Sequence, residues 1–299
     1  MTATFQPATR HYAEGVVELF ARAAKEGWDS DSLDGLREQL AGQWYDLDVD
    51  GKWVAEELPK DLYWLGESRS AVESSPSSPD IDELSYALRD QDGRSLRALA
   101  QALEEPLGRS LTAYLVGRAW TFLCGHSVAL PFLRAAMSSP ESHQDFYLSY
   151  FTALVHAGAL DEARREVGTL SDNTSPDRRV VVLSFKVLDE ASRGLSPLHI
   201  LAAAIELENA IALATQHGRY PGALFRGCRA LSVVYRRLGD VDSSRKWALA
   251  ARRVIPDALA RPPVPRKTDS TAANDSVNEE LRAVFEDDFV TSSSFAAAA

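Results

Sequence analysis

Between residues 81 and 258 the chain is punctuated in a way that a succession of helices best satisfies. Serine followed by proline recurs at Ser139-Pro140, Ser175-Pro176 and Ser196-Pro197, and glycine recurs at Gly125, Gly158, Gly194, Gly218 and Gly239. A serine at the N-cap accepts a hydrogen bond from an orphan amide, and proline suits the first helical position, where its missing N–H is not needed. Glycine ends helices because it tolerates the left-handed backbone of a C-cap. Between these marks apolar residues fall at helical spacing, as in Leu111, Tyr114, Leu115, Ala119 and Phe122. Val180, Val181, Val182, Leu183 and Phe185 have strand propensity, but the start signal at 175–176 and the distance to Gly194 favour a helix. The stretch from Leu198 to Leu213 is apolar almost all round, which predicts a helix packed on more than one side. No alternating apolar–polar series marks a sheet, so the chain reads as all-α.

The flanking regions have other characters. Residues 1–67 read as a small N-terminal helical unit. Its first helix buries Tyr12, Val16, Leu19, Phe20 and Ala23, and its second, capped at Asp31 or Ser32, buries Leu33, Leu36 and Leu40. A short helix after Pro59 is predicted to bury Leu62, Tyr63 and Leu65. Residues 68–80 are rich in serine and proline with almost nothing to bury, which marks a linker and a domain boundary. Residues 81–258 form the main helical domain. Residues 259–299 read as a disordered tail, proline-rich and polar at first, with an acidic amphipathic motif at 277–290.

Composition narrows the class. Of 299 residues, 45% are hydrophobic and 25% charged, an ordinary globular balance. Two cysteines, Cys124 and Cys228, cannot build a disulfide framework or a four-cysteine zinc site. The N-terminus lacks the charged-then-apolar order of a signal peptide, and no apolar run approaches the roughly 20 residues that span a bilayer. A soluble, cytoplasmic protein without a membrane partner is the expectation.

Residues 225–258 resemble a tetratricopeptide repeat. Counting Phe225 as first, Leu231 fills the seventh position, Tyr235 the eleventh, Gly239 the fifteenth, Ala251 the twenty-seventh and Pro256 the thirty-second. Ser232 and Ser244 replace the usual small glycine or alanine, and Cys228 replaces the usual tryptophan. A partial match lies around 144–176, with Gly158 at the turn and Ala163 five residues on. The resemblance implies a helical-repeat solenoid of antiparallel helix pairs. It also implies that Arg226, Arg229 and Arg236, at the second, fifth and twelfth positions of helix A, line a concave groove.

One local motif points to a metal. Asp46, Asp48, Asp50, Gly51 and Glu57 fit the calcium-loop pattern D-x-D-x-D-G-x5-E, in which carboxylates surround a hard cation and glycine allows the sharp turn. Against it, Val54 occupies a position where a polar residue is usual, and Pro59 interrupts the exiting helix. The competing reading is a β-hairpin or acidic turn, with Asp50-Gly51 as its two central residues and Trp44 and Trp53 on its flanks. Calcium is the one cofactor the sequence raises. No motif names a reaction: no histidine pair has zinc spacing, and no nucleophile elbow, phosphate loop or dinucleotide fingerprint is present.

Charge is more informative. Residues 217–253 carry a net +7 inside a protein of net −11, whereas residues 1–105 carry −12. Such asymmetry points to a partner or an internal docking surface. Guanidinium forks at Arg226, Arg229, Arg236 and Arg237 suit paired carboxylates of an acidic peptide. The tail supplies a candidate complement: Val277, Leu281, Val284, Phe285 and Phe289 share one helical face, and the motif has a net charge of −4. The sequence therefore predicts a non-enzymatic interaction scaffold or adaptor, with Leu281, Phe285 and Phe289 among its partner-binding residues. Nucleic-acid or phosphate binding through 219–253 is the first alternative. An enzyme whose site the sequence does not reveal is the second.

Overall fold

A computed structural model describes residues 5–66, 81–138, 144–171, 174–217 and 221–254. The described residues are helical with short connections, and no strand occurs among them. Packing divides them into two compact units, the division falling between Ala153 and Leu154.

The first unit begins with α1 (Pro7–Glu26), α2 (Asp34–Trp44) and α3 (Val49–Gly66). It continues through α4 (Ile81–Arg89), α5 (Gly93–Ala102), α6 (Glu104–Leu107), α7 (Arg109–Leu123) and α8 (His126–Met137), and ends inside α9 (Gln144–His156). α1 packs on α3 and α8, α5 on α7, and α7 on α8. Leu33, Leu58, Leu96, Leu115, Trp120 and Phe132 are among its fully buried side chains.

α3 replaces the hairpin expected around Asp50-Gly51. Asp48 stands just before the helix, and its Oδ1 accepts a hydrogen bond from the Gly51 N–H at 2.7 Å, which satisfies an orphan amide of the first turn. Gly51, Val54, Ala55, Leu58, Asp61 and Leu62 are then buried on one face with helical period. Pro59 lies within α3 and does not interrupt it. Tyr63, expected to be buried, is exposed; only Leu62 of the three residues predicted after Pro59 is buried.

The boundary expected at 68–80 does not separate two units. Residues 67–80 lie outside the described residues, but the helices on either side of them share a core. The reason is a buried ionic cluster. Asp61 of α3 is fully buried and accepts hydrogen bonds from Arg97 Nε at 2.6 Å and Nη2 at 2.7 Å, from Trp120 Nε1 at 2.9 Å, and from Gln101 Nε2. α3, α5 and α7 are thereby tied through one carboxylate.

The second unit contains the end of α9, then α10 (Leu160–Gly168), α11 (Pro176–Ser192), α12 (Pro197–Gln216), α13 (Pro221–Arg237) and α14 (Val241–Val254). The predicted starts hold where they are described: Ser175 Oγ accepts from Arg178 N–H, and Ser196 Oγ from His199 N–H, each at 3.4 Å. Ser139-Pro140 and Gly218 lie outside the described residues. α13 is the central helix, packed against α11, α12 and α14. Gly227 allows the approach, because a Cβ there would stand 2.8 Å from Val180 Cγ1 and 2.9 Å from Ile211 Cδ1. Gly239, at φ +81°, turns the chain from α13 into α14.

α12 departs from expectation. Its buried face carries Ala203, Ala204, Leu207 and Ile211, but Leu198, Leu201, Ile205 and Leu213 are exposed, Leu198 at 79%. Partners cover one side of it, not all round. By length and composition α12 could cross a bilayer, contrary to the sequence expectation. Two mid-helix glutamates tie it to protein instead: Glu206 pairs with Lys186 at 2.6 Å, and Glu208 Oε1 accepts from Tyr235 Oη at 2.7 Å and Trp247 Nε1 at 3.1 Å.

Breaking a buried pair from one side leaves an uncompensated charge, a loss of about 3–5 kcal/mol. Asp61→Ala is therefore expected to destabilise the protein by about that amount in urea unfolding. Asp61→Leu combined with Arg97→Met is expected to recover most of the loss. A loss below about 1 kcal/mol for Asp61→Ala contradicts the role given to this cluster.

Candidate functional site

The four carboxylates proposed for calcium are not brought together. Asp46 is exposed in the turn after α2, and Asp48 caps α3. Asp50, in the first turn of the helix, accepts from Arg94 Nη2 at 2.6 Å. Glu57 accepts from Lys60 Nζ at 2.7 Å and Arg97 Nη2 at 2.8 Å. A helix rises about 1.5 Å per residue, so Asp50 and Glu57 stand two turns apart, about 10 Å, rather than curling round one ion. Among the described residues no group of three or more His, Cys, Asp or Glu side chains is placed to hold a metal.

These acidic residues instead form a ladder on one stripe of α3. Asp50 meets Arg94, and Trp53 lies under both Arg94, at 4.6 Å from ring centroid to guanidinium carbon, and Arg97, at 5.7 Å. Glu57 and Asp61 meet Arg97. Burial raises the Glu57 carboxyl, but the hydrogen bond from Lys60 and the charge and hydrogen bond of Arg97 outweigh it and hold it below the ordinary value. Burial likewise opposes the charge on Arg97, and the bonds to Asp61 more than offset it.

An open apolar groove of about 340 Å³ runs along α1 and α2 in the same unit, lined by Tyr12, Val16, Phe20, Leu40 and Trp44 among others. Its lining offers Tyr12 and Arg37 as polar side chains, and Arg37 is held by Asp34 and the Trp28 carbonyl. Burial raises the Tyr12 hydroxyl pKa. Such walls can hold apolar groups but present no nucleophile and base in contact. The two thiols are equally unsuited to covalent chemistry. Burial pushes Cys124 up to about 12 and Cys228 up to about 11, so both stay protonated at neutral pH.

In the second unit the arginines predicted for the groove divide. Arg226 is only 4% exposed and does not belong to a solvent-facing surface. α13 packs against three helices, so the first residue of the stripe that would line a groove in an open repeat is buried here. Arg229 is half-buried, its guanidinium 5.6 Å from the Phe225 ring centroid. Arg236 and Arg237 are exposed at the end of α13. Leu281, Phe285 and Phe289 lie outside the described residues.

The basic face that the structure does present is on α14. Arg245, Lys246, Arg252 and Arg253 are exposed there, and Leu249 between them is 53% exposed, as is Val241 at the start of the helix. The spacing 241, 245, 249, 252 is a helical stripe. The opposite side of α14 buries Ser244 and Ala251 against its neighbours. Ser244 Oγ donates to the Ser232 carbonyl at 2.8 Å, and Trp247 reaches Glu208. In the sequence these cations belong to the basic 219–253 surface but not to the groove set of Arg226, Arg229, Arg236 and Arg237; the i, i+4, i+7 placement of Arg245, Leu249 and Arg252 is the signal that sets them on one face.

No known protein family, curated protein or solved structure matches the chain.

Two outcomes follow from the α3 ladder. Calcium at millimolar levels is expected to leave Trp44 and Trp53 fluorescence and the thermal midpoint unchanged; a calcium-dependent shift would mean that the first turn of α3 opens to bind it. Glu57 has a lowered folded pKa. Its contribution is therefore present above the unfolded value of about 4.3 and disappears as pH falls through the folded value. Glu57→Gln should lower stability at neutral pH, and the gap from wild type should close below about pH 4. A gap that persists unchanged in acid contradicts the ionic origin.

Proposed function

We propose that the chain is a non-enzymatic scaffold of tetratricopeptide-like helix pairs that binds a protein partner through an acidic amphipathic segment received on α14. The observation behind this reading is the placement of Arg245, Lys246, Arg252 and Arg253 around exposed Leu249 on one helix. Guanidinium forks bind carboxylates in pairs and give direction, while the leucine offers the apolar contact that an amphipathic helix needs. The α13–α14 pair supports the repeat part of the proposal. Ser232 and Ser244, two of the three departures from the repeat pattern, are small and buried, with their hydroxyl oxygens 3.4 Å apart, so they serve the close helix approach that glycine or alanine serves elsewhere.

Four exposed cations also suit phosphate, but Leu249 and Val241 set carbon along the same stripe, where a phosphate backbone has no use for it. The test uses a fluorescein-labelled acidic peptide with leucine and phenylalanine at i, i+4 spacing, titrated with the full-length protein by fluorescence anisotropy. Saturable binding is expected, weakened at least about tenfold by Arg245→Glu combined with Arg252→Glu, which corresponds to about 1.4 kcal/mol. Tighter binding of a single-stranded oligonucleotide than of the peptide, with a steep linear loss against log salt, overturns the proposal in favour of phosphate recognition. Peptide binding that ignores the charge reversals also overturns it.

A further inference from the structure

We infer that the chain carries its own ligand for the α14 face: residues 277–290 occupy it in the free protein and compete with the partner. The inference rests on reading that face as an acidic-peptide site. Four features of the chain support it. The first is complementary charge. Glu279, Glu280, Glu286, Asp287 and Asp288 outweigh Arg282 in the segment, and α14 exposes Arg245, Lys246, Arg252 and Arg253. The second is matching apolar spacing. Val277, Leu281, Val284 and Phe285 fall at helical spacing in the segment, and Val241 and Leu249 are exposed eight residues, about two turns, apart on α14.

The third is reach. α14 ends at Val254 and the segment starts at Val277, so 22 residues lie between them. Twenty-two residues reach at most about 70–80 Å, against about 21 Å for the length of α14, so the connection does not prevent the segment from meeting any part of that helix. A contact within the chain is intramolecular and so needs less intrinsic affinity than one with a free peptide.

The fourth is the exclusion of the other open face. The exposed side of α12 is more apolar than that of α14, but α12 contains no lysine or arginine and bears Glu206 next to Ile205. The cation beside that face, Lys186 of α11, is already paired with Glu206 at 2.6 Å, so an acidic segment placed there would find fewer counter-charges than on α14. Of these two faces, α14 is therefore the better match for residues 277–290.

The test keeps the full chain and reads proximity and competition separately. Leu249→Cys with Phe285→Cys is compared with Leu198→Cys with Phe285→Cys, which probes α12. The two native cysteines are buried and stay out of exchange. Under mild oxidation at high dilution, the 249–285 disulfide should form at least about tenfold faster than the 198–285 one, and charge reversal by Glu286→Lys, Asp287→Lys and Asp288→Lys should remove the difference. The same charge-reversed tail, with native cysteines only, should bind the labelled peptide at least about tenfold more tightly than wild type, because its competitor is gone. Equal cross-linking rates for the two pairs, or peptide affinity unchanged by the tail reversal, overturns this inference while leaving the α14 site standing. Failure of the peptide to bind even the charge-reversed chain overturns the α14 site itself, and the self-docking inference with it.

Discussion

The carboxylate of Asp61 is the constraint around which the first unit is organised. A fully buried charge is unfavourable by several kcal/mol unless its lone pairs are filled, and four N–H groups from Arg97, Gln101 and Trp120 fill them. Those donors come from α5 and α7, so the carboxylate is satisfied only when three helices assemble. The same stripe of α3 carries Glu57, Trp53 and Asp50, spaced four, eight and eleven residues before Asp61, and each meets Arg94 or Arg97. A one-residue slip would bring none of them into place. The ladder thus fixes the register of α3 against α5 and makes one unit of helices that a serine- and proline-rich stretch separates in sequence.

That ladder also explains what the sequence disclosed and what it hid. Local signals were legible: Ser175 and Ser196 cap α11 and α12, Gly158, Gly194 and Gly239 have positive φ, and the valine run at 180–182 sits inside α11. Each depends on residues within one turn of itself. The hairpin reading of Asp50-Gly51 failed because its turn propensity is local, whereas the partners that decide the matter, Arg94 and Arg97, lie about forty residues away. Arg226 was misplaced for the same reason. Its position in a repeat-like pattern is a statement about one helix, and its burial is set by α11, α12 and α14 together.

In the second unit the central position of α13 decides where charge can go. Its residues are buried along most of its length, with Gly227 removing a side chain where α11 and α12 press closest. Glu208 then bonds α12 to both α13 and α14 through Tyr235 and Trp247; burial first, and then the neighbouring carboxylate, raises the Tyr235 hydroxyl well above its ordinary value, so it remains a donor. With α13 enclosed, the exposed helical faces of this unit include those of α12 and α14.

The two faces divide their chemistry along the chain. α12 presents leucine and isoleucine without a cation, and α14 presents cations around one leucine. Apolar area contributes affinity without direction, whereas paired guanidinium–carboxylate contacts set register and are sensitive to charge reversal. An acidic amphipathic ligand uses both properties, but only where they occur on the same helix. On α14 the apolar contact is small, so affinity for a free peptide should be modest and a tether should matter more than additional contacts. On the proposed reading, that asymmetry favours a tethered segment over a free peptide of the same sequence, and favours over both a partner that adds apolar surface.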